Sequence, residues 1–434
     1  MHVEELKQRI RSKKYNLAVV GLGYVGLPLA LEFARRGVNT YGIEIDKDRL
    51  AHFARKESYI TDVSTRELRR VLATGHFHPV GDFAVLPECD VIIICVPTPL
   101  KRKYHPDISY IKKAVVSISK HMKKGSLIVL ESTTYPGTTD EVILPLLEKG
   151  GLKHNSDFYL SFSPERIDPG NKQFPVHKIP KVVGGITPEA TGLAAAAYGN
   201  IIEKVVPVSS ARTAEAAKLL ENTFRLINIG MIDELAMMAH SMNIDIWEVI
   251  EAARTKPFGF MPFYPGPGVG GHCIPKDPLY LYWKAKHFGF RSKFIKLASD
   301  TISFMPSYVV NRAEEVLKEK KIKLAKARVL VMGVTYKKDI LDLRKSPSLD
   351  IISVLQKRGV DVSYYDPLIP YLKWAGIDLT GIAFKKETIK SFDCVIIATD
   401  HTDVDYDMIL ENARCIFDAR NVYKGKGKAK VVVL

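Results

Sequence analysis

Cysteine is scarce in this sequence, and its placement offers no framework. The 434 residues contain five cysteines, Cys89, Cys95, Cys273, Cys394 and Cys415. The number is odd, the spacing is wide and no CxxC occurs, which argues against a disulfide scaffold and a structural zinc site. No metal is expected. Long apolar runs are also missing, so no membrane span is expected. The first residues, MHVEELKQRIRSKK, are charged and lack the apolar core of a secretory signal. Together these absences suit a reducing cytoplasm. Basic charge is plentiful, with 63 Lys and Arg against 48 Asp and Glu and a pI near 9.3. Its densest stretches, 7–14, 318–328 and 424–430, read as solvated faces or chain ends. No aromatic stacking platform sits among them, so nucleic acid is not the expected partner. Small polyanions remain.

What is present is an ordinary globular composition, 46% hydrophobic and 26% charged, on a chain long enough for more than one core. In the first 200 or so residues, apolar runs at 17–20, 40–43, 91–95, 127–130 and 158–162 alternate with amphipathic stretches such as 26–36 and 108–121. Alternation of this kind predicts a parallel sheet covered on both faces. From 210 to 242 apolar residues recur at three- and four-residue spacing, interrupted only by Gly230, which predicts one long helix capped by Ser209 or Ser210. A second helix is expected over 246–254, a Pro- and Gly-rich loop over 257–278, and helical pattern again from 279 toward 320. Strands return at 329–332, 360–364, 395–398 and 416–417. Between them, Ser346-Pro347 reads as an N-cap with Pro at the first helical position, opening a helix to 357. The expected fold class is α/β, with two Rossmann-like doubly wound parallel-sheet domains joined by an all-helical central domain. The boundaries are expected at 1–207, 208–320 and 321–434.

The stretch LAVVGLGYVG places Gly21, Gly23 and Gly26 in a GxGxxG directly after a strand and before a helix. Gly21 allows the tight turn, Gly23 lets the backbone approach a pyrophosphate, and Gly26 permits close packing of helix on strand. The next strand ends in Glu44, with Asp46 as the alternative. An acid there binds the ribose hydroxyls and repels a 2′-phosphate, which favours NAD over NADP. The third domain opens with a similar strand but offers only Gly333. It is therefore expected to bind a ligand through side chains such as Lys337 and Arg420.

Chemistry concentrates in GPGVGGHCIPKDP. Cys273 sits in a glycine-rich loop, with His272 beside it and Asp277 four residues on. The glycines would leave space for a substrate, and cationic neighbours would lower the thiol pKa and make a strong nucleophile. The alternative is a small buried cysteine, which is the reading for the other four. On the long helix Lys218, Asn222 and Arg225 share one face, either a solvated stripe or an ammonium and an amide turned to a polar substrate. Glu165, in SFSPERIDPG, and Thr133, in ESTTYPGTT, follow strand ends, where ligands bind in open α/β sheets. Either could be an ordinary loop residue.

Taken in order, GLGYVGLPLA, CVPTP, ESTTYPGTT, SPERIDPG, AKLLENTFR, GPGVGGHCIPKDP, YKKDILDLRKSPSL and DARN resemble the UDP-glucose/GDP-mannose dehydrogenase family over nearly the whole chain. The resemblance implies an NAD-dependent nucleotide-sugar 6-dehydrogenase. NAD would contact Gly21, Gly23, Tyr24, Val25, Gly26, Glu44, Arg49, Pro97, Thr98 and Thr133. Cys273 would be the nucleophile, with Lys218, Asp277, Asn222, Thr133 and Glu165 as catalytic partners. The UDP-sugar would engage Glu165, Arg166, Lys218, Asn222, Arg225, Gly270, Lys337, Arg344 and Arg420. The resemblance also implies a homodimer formed through the long helix, or a higher oligomer. SPERIDPG and GGHCIPKDP resemble the branch acting on UDP-N-acetylglucosamine or UDP-N-acetylmannosamine, whereas UDP-glucose enzymes typically carry PEFLxEG and GGSCFPKD. Pro169 stands where that pattern has a second acid. UDP-glucose oxidation and a UDP-sugar sensor without turnover are the alternatives. A hydroxyacid dehydrogenase of the 6-phosphogluconate type needs neither Cys273 nor a third α/β domain.

Overall fold

The computed structural model describes residues 3–60, 62–101, 105–166, 174–427 and 430–434; Pro169 and part of the basic 424–430 tail lie outside them. The chain divides into two compact units, residues 1–221 with 279–290, and residues 222–278 with 291–434.

The first unit runs α1 (Val3–Arg11), β1 (Asn16–Val20), α2 (Gly26–Arg35), β2 (Asn39–Ile43), α3 (Lys47–Arg55), α4 (Thr65–Leu72), β3 (Phe77–Val80), β4 (Val91–Ile94), α5 (Ser109–His121), β5 (Ser126–Leu130), α6 (Leu144–Glu148), β6 (Phe158–Phe162), β7 (Lys181–Gly185), α7 (Pro188–Tyr198) and β8 (Val205–Pro207). Its eight strands lie in the order β3-β2-β1-β4-β5-β6-β7-β8. The chain leaves β1 first to one side and then to the other, so the switch point lies between β1 and β4, where Leu17 pairs Val91. A crevice opens there at the carboxyl ends of the strands. Both faces are buried, as the apolar runs predict: Leu17 and Val19 belong to one core cluster, Ala18 and Val20 to the other. One joint departs from the expected parallel sheet. β6 and β7 pair antiparallel, Ser161 with Gly185. A parallel joint needs a crossover connection, usually helical, and the sequence shows no helical pattern between these two strands.

The long helix α8 (Ala211–Ser241) begins in the first unit and continues into the second. Ser210 caps it, its Oγ accepting from the Thr213 N–H at 3.1 Å. The second unit continues with α9 (Ile246–Ala253), α10 (Asp277–Lys286, whose residues from 279 belong to the first unit), α11 (Lys293–Glu319), β9 (Arg328–Met332), α12 (Pro347–Lys357), β10 (Asp361–Tyr365), β11 (Tyr371–Trp374), β12 (Ile377–Thr380), α13 (Lys386–Lys390), β13 (Cys394–Ile397), α14 (Tyr406–Asn412), β14 (Ile416–Asp418) and β15 (Val431–Val433). Five strands form a parallel sheet in the order β10-β9-β13-β14-β15, and β11 and β12 form a separate hairpin. The pattern expected to run from 279 toward 320 is two helices, parted near Gly289, whose φ is +76°. Ser346 precedes α12 as expected, but its side chain makes no cap hydrogen bond, leaving the fixed φ of Pro347 to start the helix. Gly230 lets α8 and α11 touch: a Cβ there would sit 2.8 Å from the Cα of Ala298.

Candidate active site

The candidate residues divide between the two units, and each set is built on its own elements.

In the first unit the turn from β1 to α2 has the shape that its glycines predict. Gly21 has φ +92° and donates to the Ile43 carbonyl at 2.8 Å. A Cβ on Gly26 would lie 1.9 Å from the Gly21 oxygen, so a side chain would unseat the helix from the strand. A Cβ on Gly23, by contrast, would meet nothing within 4 Å among the described residues. That open backbone at the start of a helix fits a dinucleotide pyrophosphate. Tyr24 is exposed and Val25 half-buried on the same turn. Glu44 directly follows β2 and is buried. Its carboxylate accepts from the Leu22 N–H at 3.2 Å, the Asp46 N–H at 3.1 Å and Arg49 Nη1 at 3.1 Å. Asp46 instead caps α3, accepting from the N–H groups of Asp48 and Arg49. The helix thus occupies the alternative acid.

Pro97 and Thr98 follow β4, the first exposed and the second buried. The Tyr280 hydroxyl donates to the Thr98 carbonyl. Thr133 follows β5 and is half-buried, and its neighbour Ser132 donates to the Val96 carbonyl at 2.8 Å. Glu215, in the first turns of α8, anchors the same loop. It accepts from the Gly137 N–H at 2.6 Å, the Thr139 N–H at 2.9 Å and the Thr139 hydroxyl at 2.6 Å. Burial pushes its pKa up to about 7, against those three hydrogen bonds. One turn further on, Lys218 is buried too, which removes the reading of a solvated stripe at that position. Glu165 is buried. Arg166 donates to Glu221 at 2.6 Å and to the Pro180 carbonyl at 2.6 Å.

In the second unit Cys273 is exposed, while Cys89, Cys95, Cys394 and Cys415 are all buried. Burial pushes the Cys89 thiol up to about 12 and holds that of Cys95 well above the usual range. Those four are core residues, as expected, and Cys273 is the reachable thiol among the described residues. Behind it Asp277 is buried, and the Asn222 amide donates to its Oδ2 at 2.7 Å. Asn222 therefore orients a carboxylate. Arg225, further along α8, is exposed and lies outside the cleft described below.

His272 is not a cationic neighbour of the thiol. Its pKa is pushed down to about 4, first by desolvation, then by Lys276 and Arg344. The residue keeps exposed surface, so burial alone would not decide this. The Lys276 ammonium, 3.1 Å from Nδ1, gives the direction by itself, because an imidazolium would be repelled there. The cation that the sequence reading missed is Lys276, buried between His272 and Asp277 at 4.0 Å from the Asp277 carboxylate. It lies inside the quoted motif, but nothing in linear order shows that its ammonium turns inward.

The glycines of this loop serve packing rather than open space. A Cβ on Gly270 would come within 2.5 Å of the Tyr336 Cβ, and one on Gly271, φ +82°, within 2.8 Å of the Tyr336 ring. The loop lies flat on Tyr336, and the Gly271 N–H donates to the Arg344 carbonyl at 2.9 Å. Beside it a cleft of about 210 Å³ is lined by Tyr264, Gly266, Gly270, Tyr336, Lys337 and Arg420, among others. Lys337, Gly270 and Arg420 are thus brought together in one cleft. Arg344 is outside that lining, its guanidinium held by Asp342 at 2.6 Å. Beneath the cleft Asp233 is fully buried. Its Oδ1 accepts from the Gly266 N–H at 3.0 Å, and burial pushes its pKa up to about 8.

Residues 15–202 match the NAD binding domain of the UDP-glucose/GDP-mannose dehydrogenase family, residues 212–301 its central domain, and residues 330–425 its UDP binding domain. A UDP-N-acetyl-D-glucosamine 6-dehydrogenase of Pseudomonas aeruginosa is 38% identical over 94% of this chain and 96% of its own length. A UDP-N-acetyl-D-mannosamine dehydrogenase of Pyrococcus horikoshii is 34% identical over the same shares. The solved structure of a UDP-D-ManNAc dehydrogenase from Pyrococcus horikoshii superposes with a TM-score of 0.87 at 32% identity, covering 96% of this chain and 98% of that one.

Proposed function

Since the chain belongs to the UDP-glucose/GDP-mannose dehydrogenase family, we propose that it oxidises the C6 alcohol of a UDP-N-acetylhexosamine, UDP-N-acetylglucosamine or UDP-N-acetylmannosamine, to the carboxylate. The observation that carries the chemistry is Cys273, the exposed thiol beside a buried carboxylate held by an amide. The β1–α2 turn, Glu44 and Arg49 would hold NAD, and two NAD molecules in turn would accept the two hydrides. Asp277, or a water held by it and Thr133, takes the hydroxyl proton from C6. The Cys273 thiolate adds to the aldehyde carbon, giving a thiohemiacetal. Loss of a second hydride from that carbon gives a thioester. Water then displaces the thiolate and brings the second carboxylate oxygen, with Asp277 or Glu165 taking its proton. The ammonium of Lys218 stabilises the oxyanion, as preorganised cations do. Asn222 keeps the Asp277 carboxylate in place. Lys337 and Arg420 offer cations to a diphosphate.

The partition into NAD-binding, helical and UDP-binding segments at 1–207, 208–320 and 321–434 follows from the same reading, as does a cytoplasmic place of work. A homodimer through α8 is supported by Leu220, Phe224, Met231 and Met238, exposed apolar residues that recur along it, with Met242 just past its end.

The test is NADH formation with purified protein, NAD and a panel of UDP-sugars. The expected result is about two NADH for each UDP-N-acetylhexosamine, little with UDP-glucose, and no sustained turnover by Cys273→Ala. Robust oxidation of UDP-glucose would keep the mechanism and overturn the substrate. Binding of UDP-sugar without NADH would favour a sensor.

A further inference from the structure

The loop 333–342, which brings Tyr336 and Lys337 to the cleft, is held by a buried imidazole together with Asp366 and Thr402. His401 is buried just after β13. Its Nδ1 lies 3.0 Å from the Asp339 N–H, and its Nε2 lies 3.0 Å from Asp366 Oδ2 and 3.1 Å from the Thr335 hydroxyl. A backbone N–H can only donate, so Nδ1 must accept and carries no proton. The ring proton is therefore on Nε2, donated to Asp366, and the imidazole is neutral. The 3.6 Å approach of Nδ1 to Asp339 Oδ1 follows from the same turn and is not an ion pair.

What this bond holds is a conformation that does not hold itself. Asp339 has φ +59°, a left-handed backbone that costs a non-glycine residue free energy. Three contacts keep it there: its N–H on His401, and its carboxylate accepting from the Thr402 N–H at 2.9 Å and the Thr402 hydroxyl at 2.6 Å. The other end of the loop is tied to the same centre. Asp366 Oδ2 accepts from the Val334 N–H at 2.7 Å and the Thr335 N–H at 3.2 Å, and the Thr335 hydroxyl donates to the Lys337 carbonyl at 3.1 Å. The ring and the Asp366 carboxylate it donates to thus fix the backbone on both sides of Lys337.

We propose that His401 is a positioning residue for the nucleotide: as the Nε2–H tautomer it holds the 333–342 loop so that Lys337 meets the diphosphate, and it takes no part in the chemistry at C6. This rests on the cleft binding UDP, as set out above. Its consequence is a split between binding and turnover. The acceptor at Nδ1 matters most, because it holds the strained residue.

Two variants of the full-length protein separate the two nitrogens. His401→Asn keeps a short side chain with an acceptor near the Nδ1 position. His401→Gln reaches toward the Nε2 position and leaves the Asp339 N–H without a partner. Titration calorimetry with UDP alone should show His401→Gln weakened about tenfold, the size of one lost buried hydrogen bond, and His401→Asn within about twofold of the parent. In the assay, His401→Gln should raise KM for the UDP-sugar with kcat and the KM for NAD unchanged. Melting curves establish that both variants are folded. A merely structural role would lower the melting temperature of both and leave their UDP affinity alike, and that result overturns the inference. So does unaltered affinity in His401→Gln, or a loss of kcat at constant KM. If the parent protein does not bind UDP, the cleft assignment falls and the inference falls with it.

Discussion

Asp233 is a carboxyl group out of water, and its surroundings only half compensate. The Gly266 N–H satisfies Oδ1, but Oδ2 is buried with no hydrogen-bond partner among the described residues. Burial raises the pKa, while the Gly266 N–H and the field of Arg420 oppose the rise without cancelling it. With a folded-state pKa near 8 and an unfolded value near 3.8, the folded chain binds the extra proton between those limits. Stability from this group is whole below about pH 4 and is lost as pH rises toward 8. Asp233→Asn keeps an acceptor for Gly266 and removes the titration. Its melting temperature relative to the parent should climb between pH 5 and pH 9, by about 2–4 °C for each kcal/mol recovered. Parallel pH profiles for the two proteins would sink this account. At the same scale, the motif quoted around Cys273 made the thiol and Asp277 legible, because glycine, cysteine and acid at short spacing are a chemical pattern. The neutral His272 and the inward Lys276 were not, because a side chain's charge depends on which cation lies beside it in space.

Helix α8 shows how far periodicity carries at the scale of an element. Apolar spacing gave its extent to within a residue, 210–242 against Ala211–Ser241. What periodicity left blank was why a glycine sits in its middle, where it costs helix stability. The contact with α11 supplies the reason. A methyl at 230 would press on Ala298 at 2.8 Å, against backbone as well as side chain. Gly230→Ala should therefore destabilise the protein by about 1–3 kcal/mol, despite the better helix propensity of alanine. The double variant with Ala298→Gly should recover part of that loss. Chemical denaturation measures both, and a stabilised single variant would mean that the helices simply part. The short strands β3, β7, β8 and β15 and the β11–β12 hairpin escaped the sequence reading for a related reason. The strands legible in the sequence are no longer than these, but β3, β7, β8, β11 and β12 carry Pro, Gly or polar residues that break the apolar run.

For the whole molecule, the exposed stripe on α8 is the feature that the fold of one chain leaves unexplained. Met231 and Met238 are seven residues apart and both about half exposed, a spacing that returns to the same helix face. If a second copy covers them, Met231→Glu with Met238→Glu should shift the sedimenting species toward the monomer, while single-chain folding by circular dichroism stays intact. An unchanged mass would place the interface elsewhere. By itself the sequence determined the α/β architecture, the dinucleotide turn, the thiol and the family. These are set by local patterns, since strand and helix periods, turn glycines and motif order all act within a few tens of residues. Only the tertiary structure decided what those residues do to one another. It reversed the β6–β7 joint, assigned Asn222 to Asp277, made His272 neutral, pressed the loop glycines onto Tyr336 and set His401 under Lys337. Each of these depends on groups far apart in sequence meeting in a low-dielectric interior, where one nearby charge or one hydrogen bond outweighs intrinsic preference.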